Sequence, residues 1–348
     1  MYKKKKILIA FLAAAVLALP AAGAGKKGDK AANGAGEITS NATPVLWREA
    51  TDTASRNLLY GPGGREHQPT GPFTFVEEDL AGSNPKFVVK DDAGVKWKVK
   101  LGSEAKPETV ASRLVWAIGY FANEDYFLPE LKVNNMPAHL QRKHAEKFIR
   151  ADGVIPDARL KRHGDEKKVG EWEWRNNPFS GTREFNGLRV MMALINNWDL
   201  KDANNGIYRE KHSGDKAGSE QIYMITDLGA SFGTTRLEKS HEKAKGNLDS
   251  YIHSKFILKI DGDFVDFENP SRPTILAAGN PHEFVSRINL EWIGRHIPRT
   301  DAKWLGKLLS QLSGNQIRDA FRSAGYTPEE VEAFATVVES RIAELNKL

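Results

Sequence analysis

Apolar residues follow two different periods along this chain, one typical of strands and a later one typical of helices. An alternation of apolar and polar residues predicts strands at residues 73–76, 86–90, 95–101 and 126–131. The turn sequence Asp91-Asp92-Ala93-Gly94 predicts a hairpin between the second and third of these strands. After Gly102 the spacing becomes helical, with a helix start at Pro107-Glu108. These elements predict a small lobe with an antiparallel sheet and one helix.

The second half of the chain is dominated by helical spacing. The dense apolar run from Thr182 to Trp198 predicts a buried helix, and an Asp- and Asn-rich loop follows it. Two short strands are predicted next, and then helices to the end, at residues 206–208, 221–226, 304–312, 316–323 and from 327 onward. The region 137–180 is polar and basic, and we interpret it as an insertion between two lobes. The predicted fold class is therefore α+β, with a larger and mainly helical second lobe.

The first 45 residues differ from this pattern. Lys3 to Lys6 precede thirteen apolar residues, Ile7 to Leu19, and small residues then lead to Ala24. This order is typical of a secretory signal peptide, because a membrane-spanning helix needs about 20 apolar residues. Residues 25–45 are rich in Gly, Ala, Lys and Asn and predict a flexible tether. We therefore expect cleavage near Ala24, a periplasmic or extracellular location, no transmembrane span afterwards, and lobes at 46–135 and 136–348.

Composition narrows the classes of partner. The chain of 348 residues has no cysteine, which excludes disulfides and lipid attachment at a cysteine. Its net charge of +5 depends on four lysines in the first 24 residues; without them, 46 basic and 45 acidic residues leave +1. No basic stripe with interleaved aromatic residues is present, so no nucleic-acid partner is expected.

Three short motifs occur in an order that is typical of kinases. In Asp199-Leu200-Lys201-Asp202-Ala203-Asn204, an Asp is followed by Leu-Lys and, five positions on, by an Asn, which resembles the catalytic loop of protein kinases. Asp227-Leu228-Gly229, at a predicted strand end, resembles the metal-binding Asp-Phe-Gly motif, and its continuation is similar to phosphoinositide and secretory-pathway kinases. Val99-Lys100-Leu101-Gly102 resembles the phosphate-binding lysine strand of phosphoinositide kinases and HipA-type kinases.

The resemblance covers about residues 73–235 and concerns an atypical branch of the protein kinase-like superfamily. It implies a bilobal fold with ATP and Mg²⁺ or Mn²⁺ between the lobes, and phosphoryl transfer to a hydroxyl-bearing acceptor. The site residues that it implies are Asp199 and Lys201 for catalysis, Lys100, Glu108, Gly82 and Ser83 for the nucleotide, and Asn204 and Asp227 for the metal.

Several departures from the kinase pattern leave alternatives open. No Gly-x-Gly-x-x-Gly occurs among the predicted strands before Lys100, and the nearest substitutes are the segment 80–85 and the earlier segment 60–64. Lys98 competes with Lys100 for the phosphates, and Glu104 competes with Glu108 as its partner. Rival functions are an exported pseudokinase that binds a partner or small ligand, transfer of another group such as AMP, and a hydrolase with Asp199 and Asp227 as acid and base.

Overall fold

In the part of the chain that the structure describes, the strands form three sheets, and the helices follow mostly after them. The computed structural model describes residues 42–80, 84–164, 166–210, 219–234, 244–269 and 288–348, all within one compact unit. The strands are β1 Thr43–Val45, β2 Phe73–Glu78, β3 Lys86–Lys90, β4 Lys96–Lys100, β5 Asp125–Leu131, β6 Val133–Asn134, β7 Ile155–Arg162, β8 Glu166–Gly170, β9 Asn205–Glu210, β10 Glu220–Ile225, β11 Ile257–Asp261, β12 Phe264–Phe267 and β13 Ile297–Pro298. The helices are α1 Ala105–Ala117, α2 Arg183–Leu194, α3 Leu248–Ile252, α4 Arg299–Leu309, α5 Gly314–Arg322 and α6 Pro328–Lys347.

The first lobe is built on a six-stranded sheet in the described chain, in the order β5-β7-β4-β3-β2-β6. Strands β2, β3 and β4 are antiparallel neighbours, as the sequence predicted. Asp91 holds the predicted turn, because its carboxylate accepts from the backbone N–H of Val95 and from the indole N–H of Trp97, each at 2.8 Å. Apolar side chains alternate onto one sheet face and form a core of their own, which includes Phe87, Val89, Trp97, Val99 and Leu160.

Strand β7 corrects the predicted lobe boundary. It lies inside the sheet, paired with β4 on one side and β5 on the other, so residues 155–162 belong to the first lobe and not to an insertion or to a second lobe that starts at 136. The polar composition was misleading because Arg159 is a buried cation that is paired with carboxylates. The chain passes to the second lobe between Arg162 and the start of β8, which pairs with β9.

The second lobe is mainly helical, as expected. Helix α2 begins at the cap Thr182, whose hydroxyl accepts from the backbone N–H of Phe185 at 3.2 Å, and it is buried along almost its whole length. Helix α4 packs against α2, and helix α6 packs against α4 and α5. Helix α6 starts with a capping box formed by Thr327 and Glu330. No helix in the described part of the chain combines the length and the apolar character needed to cross a bilayer.

The folded part begins earlier than the predicted tether allows. Thr43–Val45 is strand β1, which pairs in parallel with β10, so these three residues are not a flexible link. The strand forms because β10 is otherwise open on that side, and the backbone of residues 43–45 supplies the missing hydrogen bonds. The predicted signal peptide and the remainder of the tether lie outside the described residues.

A brace formed by residues 46–61 connects the two lobes behind helix α1. The Arg56 guanidinium donates to the carbonyl of Trp116 near the end of α1 and stacks over the indole ring at 4.7 Å. On the other side, the amide of Gln316 in α5 donates to the carbonyls of Thr53 and Arg56 at 2.8 and 2.9 Å. The brace therefore fixes α1 relative to the second lobe.

Candidate functional site

Lys100 lies at the centre of the candidate site. It is the last residue of β4 and is 5% exposed. Its ammonium Nζ lies 2.8 Å from Glu108, 2.9 Å from Glu104 and 3.0 Å from Asp227, so one ammonium group forms ion pairs with three carboxylates. Burial alone lowers the pKa of Lys100, but Glu108, Asp227 and Glu104 outweigh burial and raise the pKa well above its ordinary value. Lys100 is therefore a permanently charged group.

Lys98 and Lys100 differ in their ion-pair partners. Lys98 pairs with Asp79 at 2.7 Å, and its side chain is 36% exposed. It makes no contact with the carboxylates around Lys100 among the described residues. Glu104 and Glu108 do not exclude each other, because both contact Lys100 from the beginning of α1. The predicted pair Lys100–Glu108 is present, and Glu104 is a third member.

Glu108 is fixed from a second side by a residue that sequence analysis missed. Arg159 of β7 forms an ion pair with Glu108 at 2.8 Å and lies 3.3 Å from Asp125 of β5. The Ser112 hydroxyl donates to the other oxygen of Asp125 at 2.8 Å. The sequence carries no clear signal for Arg159, because the buried residues Ile155, Ala158 and Leu160 do not keep a period of two along this strand.

Glu104 connects the site to the chain that follows Asp227. Lys245 lies 2.6 Å from Glu104, and both side chains are about nine-tenths buried. Burial raises the pKa of Glu104, but the ammonium groups of Lys100 and Lys245 lower it strongly overall. Glu104 is thus a charged bridge between β4 and the segment after Asp227. No motif in the sequence marks Lys245.

The predicted catalytic loop and the predicted metal-binding loop are joined through Asn204. The Asn204 side-chain amide donates to the carbonyl of Asp199 at 2.7 Å. The backbone carbonyl of Asn204 accepts a hydrogen bond at 2.8 Å from the backbone N–H of Thr226, which is the residue before Asp227. Lys201 lies 3.4 Å from the Asp199 carboxylate. All of these predicted residues therefore lie in one region, on the side of the sheet that carries Lys100.

The side-chain oxygens of Asn204 and Asp227 are suitable ligands for a hard divalent cation. Among the described residues, the amide oxygen of Asn204 and one carboxylate oxygen of Asp227 make no hydrogen bond. Such oxygens are the ligands that Mg²⁺ and Mn²⁺ prefer. The oxygens of Glu104, Glu108 and Asp227 also approach within 4.8 Å of one another, but the ammonium of Lys100 already lies against all three.

A cavity of about 240 Å³ adjoins Glu104 at the end of the sheet where β3 begins and β4 ends. It is lined by the connection from β4 to α1, by Asn84 and Pro85 before β3, and by His144 and Phe148 of a short 3₁₀ helix. The predicted nucleotide contacts Gly82 and Ser83 lie outside the described residues, directly before Asn84, and they stay predictions.

No protein-family model matches the chain, and no curated protein matches its sequence. Among solved structures, the chain is similar to the Helicobacter pylori proinflammatory kinase CtkA, with 11% identity, a TM-score of 0.41, and coverage of 79% of this chain and 95% of that one. It is also similar to the Golgi casein kinase, with 12% identity, a TM-score of 0.30, and coverage of 78% of this chain and 75% of that one. A structure of the Golgi casein kinase with Mn/ADP bound covers 79% of this chain and 75% of that chain, with 12% identity and a TM-score of 0.31. At such identities, the side chains of the site must carry any argument about function.

Proposed function

We propose that this protein is an atypical kinase that transfers a phosphoryl group from ATP to a hydroxyl acceptor with the help of Mg²⁺ or Mn²⁺. One observation carries the proposal: the buried Lys100 contacts Glu108 and Asp227 at once, while Asn204 ties the Asp199 loop to the strand that ends before Asp227. Phosphoryl transfer needs a cation on the phosphates, a partner that fixes it, metal ligands and a carboxylate for the acceptor. Each of these groups has a candidate here.

The proposed roles follow from the contacts. Asn204 and Asp227 would hold the metal ion, which when bound would neutralise phosphate charge. Lys100 binds the phosphates by exchanging one carboxylate contact for a phosphate oxygen, and the partly exposed Asp227 is the natural partner to release. Glu104 and Glu108 keep the ammonium group in place during this exchange, because each is anchored by a second cation.

Asp199 is proposed to receive the proton of the acceptor. The acceptor oxygen forms a new bond to the γ-phosphorus, the bond between that phosphorus and the ADP oxygen breaks, and ADP leaves with its electron pair. The backbone of Asp199 is held by Asn204 and by the side chain of Asn197, which accepts from the Asp199 N–H at 3.1 Å. The Lys201 ammonium lies 3.4 Å from the Asp199 carboxylate.

The test combines nucleotide binding with transfer. Thermal shift with ATP or ADP and Mg²⁺ or Mn²⁺ should stabilise the wild type, whereas Asp227→Asn should lose the metal-dependent part of the shift. Asp199→Asn should retain the shift but lose transfer of γ-labelled phosphate. Asp249→Asn is the matched control, because the Asp249 side chain is 82% exposed on α3 and should change neither result.

Other outcomes separate the rival functions. Transfer of label from α-labelled ATP would identify AMP transfer, and a shift without any transfer to proteins, peptides or sugars would identify a pseudokinase. The absence of any shift in the wild type would overturn the nucleotide site. An exported location is proposed from residues 1–24 alone, and sequencing the N-terminus of the protein recovered from a periplasmic or culture fraction would test it.

A further inference from the structure

The sheet of the first lobe has one apolar face and one cationic face. In the register of β3 and β4, Lys86 lies opposite Lys100, and Val88 lies opposite Lys98. Residues opposite each other on antiparallel strands, and residues two apart on one strand, point to the same face. Lys86, Lys98 and Lys100 therefore share the face that contacts Asp227, while the large apolar side chains occupy the other face.

The cationic face continues onto β7. There Arg159 lies opposite Lys100 in register, and Lys161 lies opposite Lys98. Most of these charges have a partner: Arg159 and Lys100 contact carboxylates, Lys98 pairs with Asp79, and the ammonium of Lys161 lies 5.9 Å from the ring centre of Tyr208.

Lys86 is the exception. Within the described residues, no carboxylate forms an ion pair with Lys86 and no aromatic ring lies under its ammonium, although the side chain is half-buried. Burial lowers the pKa of Lys86, and the ammonium groups of Lys98 and Lys100 add to this effect, whereas the carboxylates of Asp79 and Asp227 oppose it without reversing it. A half-buried cation beside two others is unfavourable unless an anion compensates it.

We propose that Lys86 is a phosphate-binding residue of the cleft, which contacts the phosphates of the bound nucleotide beside Lys100. This inference rests on the proposed function. No Gly-x-Gly-x-x-Gly lies between β2 and β4, where its backbone could surround the phosphates, so side-chain ammonium groups of the sheet provide part of the phosphate binding. The compensating anion is the ligand itself, and Lys86 has no ion pair within the described part of the chain because its partner arrives with the nucleotide.

The experiment compares ligands that differ in phosphate content. Calorimetric titration of the wild type and of Lys86→Gln uses ATP, ADP, adenosine and inorganic tripolyphosphate, with Mg²⁺ present. Lys86→Gln should weaken ATP and ADP about tenfold or more, since a hydrogen bond to a charged group is lost, and should leave adenosine unchanged. Lys86→Arg should restore most of the affinity, because it restores the charge.

Lys90→Gln is the matched control, because Lys90 lies on the same face of the same strand but is exposed at its outer end. It should leave every affinity within about twofold of the wild type. A second readout is the melting temperature without ligand, which Lys86→Gln should leave unchanged or raise because it removes an uncompensated charge.

Two results would overturn the inference in distinguishable ways. If the wild type binds ATP and Lys86→Gln binds it equally well, Lys86 has no role with phosphate and the proposed function stands. If the wild type binds neither nucleotide nor tripolyphosphate, both proposals fail. Binding of tripolyphosphate that depends on Lys86, without binding of nucleotides, would support the phosphate site and reject the ATP site.

Discussion

Two buried cations, Lys100 and Arg341, are both nearly closed off from solvent, at 5% and 2% exposure, but they are held by opposite kinds of partner. Lys100 meets three carboxylates. Arg341 of α6 donates to neutral oxygens, among them the carbonyl of Leu194 at 2.7 Å and the side chain of Asn196 at 2.9 Å, and it stacks over the Tyr251 ring at 4.2 Å.

Lys100 and Arg341 also differ in the direction of their pKa shifts and in whether a ligand can reach them. Carboxylates raise the pKa of Lys100 despite its burial, whereas burial lowers the pKa of Arg341. One partner of Lys100, the side chain of Asp227, is 37% exposed and can be replaced by a ligand anion. The partners of Arg341 are fixed parts of the fold. Lys100 is thus built to exchange a partner, and Arg341 is built to hold the end of α2 against α6.

Removing Lys100 should produce the largest effect. Lys100→Met should reduce phosphoryl transfer about 10³-fold, on the order of 4 kcal/mol, because it removes the cation that contacts the phosphates. Initial rates with γ-labelled ATP measure this loss. Lys96→Met, at an exposed position of the same strand, should retain the full rate. A Lys100 variant within tenfold of the wild-type rate would remove the distinction between the two cations.

Arg341→Met should mainly affect stability. Several buried oxygens lose their donor, so the free energy of unfolding should fall by about 3 kcal/mol. Urea denaturation measures this change, with Arg322→Met, a partly exposed residue of α5, as the control. Where the variant is folded, its dissociation constant for ATP should remain within about twofold of the wild type. A large loss of affinity in the folded variant would place Arg341 in the function of the site.

Replacing Lys161 should change the stability of the protein by an amount that depends on pH. Burial lowers the pKa of Lys161 from 10.5 to about 8, with Asp125 opposing and Arg159 adding to this effect. Below pH 8 the lysine is charged in both states, so the penalty of burying its charge is complete. Between pH 8 and 10.5 the folded state releases the proton first, so stability rises with pH. Lys161→Met should therefore stabilise the protein at pH 7 by at most about 3 kcal/mol.

The stabilisation produced by Lys161→Met should become smaller as the pH approaches 10. Urea denaturation of both proteins at several pH values measures the difference. A constant difference across that range would show that the charge of Lys161 is not the cause. Lys90→Met, which removes an exposed charge from β3, serves as the control for a general charge effect.

Lys98→Gln should have the smallest effect. The Lys98–Asp79 pair is partly exposed, and pairs of this kind contribute less than about 1 kcal/mol. Transfer should fall by no more than about fivefold. A loss similar to that of Lys100→Met would mean that Lys98 also contacts the phosphates directly.

Linear motifs made part of the site predictable. Asp199, Asn204 and Asp227 lie on loops whose short spacing is visible in the sequence, and the pair Lys100–Glu108 follows from a strand and the helix after it. Glu104 was recognised only as an alternative, because the sequence cannot show that one ammonium group contacts two glutamates of the same helix.

The remainder depends on long-range pairing. Arg159, Asp125 and Lys245 come from distant parts of the chain, and their charges indicated exposed positions. The same charges concealed strand β7, and hence the lobe boundary, because a strand with buried ion pairs does not show a simple apolar alternation. Strand β1 was missed because three residues are too few to carry a period.

The brace of residues 46–61 has a consequence for how the protein could be controlled. A switch that swings α1 away from β4 would have to break the contacts of Arg56 with Trp116 and those of Gln316 with the brace. The resting protein is therefore expected to keep its Lys100–Glu108 pair assembled at all times. The rate of phosphoryl transfer would then depend on the concentrations of the phosphate donor and the acceptor, as in a constitutively active enzyme.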